Sequence, residues 1–530
     1  MYIYLLLAAV IMFISILLNR VSGKLGVPAL LAFILLGMLF GSDGVFKIQF
    51  DNFGISEQIC CIALCFIMFY GGFGTNIEAA KPIAARAILL SSPGVILTAA
   101  LVGVFCYLVL SIPLIDSLLI GAVISSTDAA SVFSVLRSKR LNLKYNTASL
   151  LELESGSNDP FAYMLTAILL SLKTGGVTGS SIAYTVFAQL VYGGALGVAI
   201  GMLAAYVLRR INFGKSGMDN VFVFAIAIFA YALPGAIGGN GFLSVYIAGV
   251  IMGNANIRNK RTLVPFFDGV TNIMQMCIFF LLGLLSFPSR LPQVFIPSIA
   301  IALFLTFIAR PLVTFGLLAP FKSKLNQIVL VSWAGLRGAA SIVFALMVML
   351  SDTSYDVFHI VFGVVLFSIL IQGGLLAPLA KKLNMIDNKE DVMKTFTDYS
   401  DEVPVQFIEF AVTDDHPWSN REVKDIVNPP DTILVLIQRG DEKIVPNGNT
   451  RLLTGDKIIL SALSPGDVSG IHLSEKTISR DSKWIDKPVS ELPNTSTRLI
   501  IMINRDDEII IPTGDTVIRE NDVLVINHSD

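Results

Sequence analysis

The sequence predicts an α-helical polytopic membrane protein, with inverted repeats and broken helices, followed by small α/β domains. Three observations predict it. The 530 residues are 54% hydrophobic and only 15% charged, whereas soluble domains carry charge at about a quarter of their positions. Apolar runs of about twenty residues, the length that spans a bilayer core, recur through the first 385 positions. From about residue 400 the pattern changes to short strands separated by Gly, Asp and Pro turns.

Thirteen spans are expected, at about 2–19, 25–41, 56–74, 84–111, 114–136, 148–172, 181–208, 218–234, 239–254, 265–287, 292–318, 326–350 and 355–380. No basic residue precedes the first apolar run, and Arg20 and Lys24 follow it. That order is the reverse of a signal peptide, so the run is read as a spanning helix. Loops after odd-numbered spans hold 18 basic residues, among them Arg137, Lys144, Arg209, Arg210, Lys381 and Lys382. Loops after even-numbered spans hold 3: Lys47, Lys173 and Arg290. The bias places the N-terminus outside, the tail in the cytoplasm and the chain in the cell membrane. The expected partition is a membrane domain at 1–385, a linker at 386–402, and lobes at 403–465 and 466–530.

Composition also excludes. A net charge of −2 offers nothing to nucleic acid. Cys60, Cys61, Cys65, Cys106 and Cys277 all sit in apolar segments and read as small core residues, not a disulfide framework. The four histidines, His359, His416, His472 and His528, avoid mid-span, which argues against a histidine metal site or proton relay. No nucleophile–histidine pair or metal-ligand spacing suggests an enzyme, and no cofactor is expected. A potassium channel would need a carbonyl-lined filter such as TVGYG, and the sequence has none.

The tail repeats itself with a period of 66. Trp418 matches Trp484, Pro446 matches Pro512, Gly448 matches Gly514, Thr450 matches Thr516 and Asp456 matches Asp522. Shared period and turn chemistry imply two copies of one small unit. The stretch Ile444–Thr450 followed by Gly455-Asp456 resembles the C-terminal lobe of the regulator-of-potassium-conductance module, TrkA-C. No GxGxxG motif follows a strand, so its dinucleotide-binding companion is missing. The resemblance implies lobes that pair as dimers and that in some relatives bind a small regulator such as cyclic di-AMP.

Acids inside a membrane cost roughly 2.5–3.5 kcal/mol each, so they are kept chiefly where they work. Span five carries Ser125-Ser126-Thr127-Asp128 and span six carries Glu154-Ser155-Gly156-Ser157-Asn158-Asp159. Ser, Thr and Asp compete for backbone hydrogen bonds, so span five is expected to break there. Span twelve holds Trp333-Ala334-Gly335-Leu336-Arg337-Gly338 at the matching place of a second six-span unit. Interrupted helices at equivalent positions are the mark of inverted repeats around one site. On a helix Glu154 stacks with Asn158 and Ser155 with Asp159, so the two acids need not share a face or a partner. Buried Arg337 requires a carboxylate, for which Glu154 is the first choice and Glu152 the second. Arg310, midway along span eleven, requires one that the sequence does not name.

These segments resemble the NhaP-type branch of the monovalent cation:proton antiporter-1 family, closest to its potassium/proton members, over about residues 1–385. The resemblance implies homodimeric antiporters whose core moves against a dimer scaffold. It implies that Asp159 binds cation and proton alternately, supported by Asn158, an asparagine that goes with electroneutral exchange. Thr127, Asp128 and Ser155 are then ligands or close supports, and Glu154 with Arg337 is a structural pair joining the repeats. Two positions depart from the pattern. Tyr70 precedes Gly71-Gly72 where many members have an acid, and Ala129 follows Asp128 where many have proline. Potassium is therefore the expected substrate and sodium the alternative.

Overall fold

Every expected span from 25–41 onward falls on helix in the computed structural model. It describes residues 29–387 and 405–528, with six further positions between 9 and 16. Short stretches inside these limits are excepted: 51, 139–140, 176–178, 212–216, 258–259, 352–354, 415, 427–431, 441, 464–471, 479–481, 483, 493–497, 506–507 and 511. Most of the first expected span and most of the 386–402 linker lie outside the described residues. Contacts divide the chain into two units, Met1–Glu402 and Val403–Asp530.

In the first unit the main helices are α1 (Ala29–Phe40), α2 (Phe53–Gly74), α3 (Ala84–Ser91), α4 (Pro93–Val109), α5 (Leu114–Ile124), α6 (Ala129–Ser138), α7 (Thr147–Lys173), α8 (Gly179–Arg210) and α9 (Met218–Ala236). They continue as α10 (Gly241–Asn254), α11 (Lys260–Leu285), α12 (Leu291–Phe304), α13 (Arg310–Leu318), α14 (Leu325–Trp333), α15 (Ala339–Met349), α16 (Val357–Phe367) and α17 (Gly374–Lys382). Several are halves of one span. Pro93, which has no N–H, separates α3 from α4. Single π-turns, Leu305–Ala309 and Ser368–Gly373, join α12 to α13 and α16 to α17. The α5/α6 and α14/α15 pairs have true gaps, where the sequence leads one to expect them.

Polar side chains inside the helices are mostly satisfied locally. The hydroxyls of Thr98, Thr166 and Thr314 donate to the carbonyl four residues back, at 2.7, 2.8 and 2.8 Å. Close helix contacts rest on small residues. At the α2–α10 crossing, side chains at Gly72, Gly249 or Gly253 would meet the backbone of the facing helix. Helices α1, α2, α10 and α11 pack together, with α8 and α9 against α10. All five cysteines are free.

The second unit contains two antiparallel sheets built alike. The first has strands β1 (Val405–Ala411), β2 (Thr432–Arg439), β3 (Glu442–Ile444) and β4 (Lys457–Leu463), in the order β1-β4-β2-β3. The second has β5 (His472–Thr477), β6 (Arg498–Arg505), β7 (Glu508–Ile510) and β8 (Val523–His528), in the order β5-β8-β6-β7. Even the bulge recurs 66 residues on, between Leu434 and Leu436 and between Ile500 and Met502. Helical structure among the described residues of these lobes is limited to two single 3-10 turns, Val423–Asp425 and Val489–Glu491.

Each sheet closes on the same ion pair. Arg439 holds the buried Asp456 carboxylate through Nε and Nη2, both at 2.8 Å, and Arg505 holds Asp522 with the same geometry. The spare guanidinium hydrogens reach the carbonyls of Arg451 and Val517 at 2.9 and 2.7 Å. The Arg439 hydrogen bonds hold the Asp456 carboxyl below its ordinary range. Burial pushes Asp522 the other way, and Arg505 with the Arg519 amide outweighs it. A depressed carboxyl stabilises the fold above the unfolded carboxylate range, and this stability is lost as pH falls through the folded value. Asp456→Asn is expected to cost its lobe about 2 kcal/mol, the scale of charge-assisted hydrogen bonds to a buried group. Hydrogen exchange on the full-length protein should show faster exchange in β2 and β4 and none in β6 and β8, with the difference shrinking toward acid.

Candidate cation and proton site

The two helix gaps meet. The Asp128 N–H donates to the Leu336 carbonyl at 2.8 Å, and the Arg337 guanidinium donates to the Ser126 carbonyl at 2.8 Å. Ser155 of α7 donates to the Thr127 carbonyl and accepts from the Ala129 N–H, both at 2.8 Å. The Arg337 N–H finds Ser368 Oγ at 3.0 Å. Backbone groups freed by one gap are thus taken up by the other gap or by side chains, as a chain without water requires. A Cβ on Gly338 would collide with the Asp128 carboxylate, which is why glycine stands at this crossing.

Around the crossing the polar side chains divide their tasks. Asp128 caps α6, accepting from the Ser131 hydroxyl at 2.5 Å and the Ser131 N–H at 3.3 Å. Asn158 donates to Thr127 Oγ1 at 2.5 Å. Asp159 accepts a hydrogen bond from the Ser126 hydroxyl. Ser126, Thr127, Asp128, Ser155 and Asp159 line one cavity of about 530 Å³, whereas Asn158 lies behind its wall. Four of the seven expected site residues, Thr127, Asp128, Ser155 and Asp159, therefore converge on one space. Ser126 was quoted in the motif but not singled out, although it is the residue bonded to Asp159.

Glu154 does not pair with Arg337. It forms a buried ion pair with Arg310, both side chains being almost fully enclosed. Glu154 therefore corrects the sequence expectation and supplies the partner that Arg310 required. Two features explain the exchange of partners. The π-turn before Arg310 rotates it away from the regular helical register, and Gly335 leaves room where a side chain would strike the guanidinium. Arg337 is turned instead into the crossing, where it serves a backbone carbonyl. The repeats are still joined, by two arginines instead of one.

The cavity has another wall that the sequence reading missed. Asp268, Thr271, Asn272 and Gln275 of α11 line it as well. Their i, i+3, i+4, i+7 spacing in an otherwise apolar span was the legible signal. Among the described residues, no set of three His, Cys, Asp or Glu side chains could hold a resident metal.

The chain matches the family described as sodium/hydrogen exchanger, transmembrane, over residues 9–382. It belongs to that family. Within this exchanger, residues 407–466 and 473–527 each match the TrkA-C domain. The exchanger is 33% identical over 462 residues to the K(+)/H(+) antiporter NhaP of Alkalimonas amylolytica, covering 86% of this chain and 80% of the relative. It is 31% identical to the K(+)/H(+) antiporter NhaP2 of Shewanella baltica, with the same coverage. Similarity to the Na(+)/H(+) antiporter NhaH of Halobacillus dabanensis is 30% over 312 residues, 56% of this chain and 76% of that one. The fold is that of the sodium proton antiporter MjNhaP1 from Methanocaldococcus jannaschii, at a TM-score of 0.65 and 24% identity, covering 72% of this chain and 99% of that one.

The pairing is open to test. Removing one partner of a buried ion pair costs about 3–5 kcal/mol, because the other charge is left uncompensated. Glu154→Gln should therefore lower the melting temperature of the detergent-purified exchanger. Adding Arg310→Gln should restore part of the loss, and adding Arg337→Gln should not.

Proposed function

We propose that the protein is an electroneutral secondary antiporter exchanging potassium for protons across the cell membrane, with Asp159 as the carboxylate that binds either one. The observation that carries this is the different employment of the three polar groups. Asp128 is engaged in capping α6 and Asn158 in bracing Thr127, while Asp159 faces the cavity with one hydroxyl partner. A carboxylate that accepts a cation or a proton, never both, couples the two fluxes by competition. One cation against one proton moves no net charge. The oxygens around Asp159 suit a hard monovalent ion.

Potassium is favoured by the names of the relatives that match most of the chain, and sodium is the alternative offered by NhaH. The loop charges support an external N-terminus and a cytoplasmic tail. The family resemblance supports a homodimer. Residues 1–385 would carry transport and the lobes at 403–465 and 466–530 would regulate it, through a small ligand such as cyclic di-AMP. One feature of the membrane unit supports such control. The segment leading toward the tail is tied to the α6–α7 loop, with Lys144 N–H on Met385 O at 2.9 Å and Asp387 N–H on Asn142 O at 3.0 Å. Helices α6 and α7 flank the site, so a pull on this segment acts beside it.

Cation addition to proteoliposomes holding an acid interior should dequench a pH dye, with potassium half-saturating below sodium. Asp159→Asn should reduce the signal to that of empty vesicles; wild-type exchange in this variant would sink the assignment. Exchange should also be indifferent to an imposed membrane potential. Deleting the chain after Ile386 should leave basal exchange and change its response to cyclic di-AMP.

A further inference from the structure

The α11 wall of the cavity has no part in the exchange reading above. Its four polar residues differ in exposure: Asp268 and Asn272 are exposed, Gln275 is half-buried, and Thr271 is 7% exposed. The Asn272 amide donates to Asp268 at 3.2 Å, which leaves its own carbonyl oxygen to face outward from that pair. Thr271 is the anomaly. Threonines elsewhere in these helices bond back to a carbonyl, as Thr98, Thr166 and Thr314 do. Thr271 lines the cavity, and its oxygen is buried with no hydrogen-bond partner among the described residues. A buried oxygen left unpaired is unfavourable unless something binds it.

We propose that Thr271, with Asp268, Asn272 and Gln275, forms a second station for the monovalent cation, which takes the ion on its way to Asp159. The proposal rests on the exchange reading and extends it. The chemistry is that of a hard cation: one carboxylate for attraction, a hydroxyl and two amide carbonyls for neutral oxygen. Asp268 stands at the exposed end, where a charge recruits ions from solution. Thr271 stands at the buried end, where an oxygen replaces water lost from the ion. The station lines the same cavity as Asp159 and, among the described residues, bonds to none of the groups that hold the helix crossing, so it governs how readily the cation arrives and not how the proton is released.

The test uses the full-length protein in proteoliposomes, titrated with potassium and with sodium at constant ionic strength. Asp268→Asn and Thr271→Val are each expected to raise the half-saturating cation concentration about threefold to fivefold, the scale of a single exposed ion pair, with the maximal rate kept. Thr271→Ser should behave as wild type. The Asp268→Asn effect should fade as ionic strength is raised with choline chloride, because an exposed charge is screened. Gln275→Leu provides a second variant inside the stripe should Thr271→Val fail to yield folded protein. Unchanged half-saturation in Asp268→Asn and in a folded Thr271→Val or Gln275→Leu, or a loss of maximal rate alone, overturns the station. Absence of cation-driven exchange in the wild type would overturn the exchange reading instead.

Discussion

Everything in the membrane unit depends on two interrupted helices satisfying each other. Opening a helix at mid-membrane exposes N–H and C=O groups that lipid cannot solvate, at several kcal/mol apiece. Here the Asp128 N–H and the Leu336 carbonyl pair directly, and Arg337 and Ser155 supply the remaining bonds. Neither gap could stand alone. The pair of gaps can, and it leaves polar oxygens beside a cavity in the middle of an apolar protein.

That constraint decides which acids remain available. A broken helix needs a cap, and Asp128 provides it through both oxygens to Ser131. The buried Arg310 takes its carboxylate from Glu154. Neither acid can then be given up to a passing ion without undoing the scaffold. Asp159 has no such duty, because a serine hydroxyl is its partner and a hydroxyl can rotate toward a carboxylate or away from it. The carboxylate proposed to bind cargo is the one the architecture does not need.

How much of this was legible in the sequence follows from where each residue sits. The spans, the two gaps and the 66-residue repeat were visible because composition and turn chemistry are local properties. The repeat extends to detail the alignment only hinted at, since Asp456 and Asp522 both turn out to be locked by an arginine seventeen positions earlier. The Glu154 partner was not legible. Arg337 and Arg310 both needed a carboxylate, and the choice turned on a π-turn of Leu305–Ala309 that shifts the facing of every residue after it. Pro311 follows at once and cannot donate to the preceding turn, which favours such a bulge. Even so, a proline marks that a helix is disturbed without telling which way the next side chain will point. The α11 stripe was missed for a different reason: Asp268 and Thr271 lie far in sequence from the acids of α7, and only the fold brings them to the same space.

The stripe also bears on how the two walls of the cavity are built. Helix α11 packs chiefly on α1 and α2, whereas Asp159 and Ser126 belong to the elements locked together by the helix crossing. Hydrogen bonds hold the second set to itself, and the stripe lines the same cavity. A shift of one wall relative to the other would therefore spare the crossing, whose bonds are expensive, and alter the cavity, whose contacts are few. An ion held between Asp159 and an oxygen of α11 feels that shift at once, because alkali cations bind through short contacts to several oxygens. An ion held by Asp159 and its own neighbours does not. On the proposed reading, placing part of the cation's shell on α11 would make its binding sensitive to movement, and movement responsive to whether the carboxylate carries a cation or a proton.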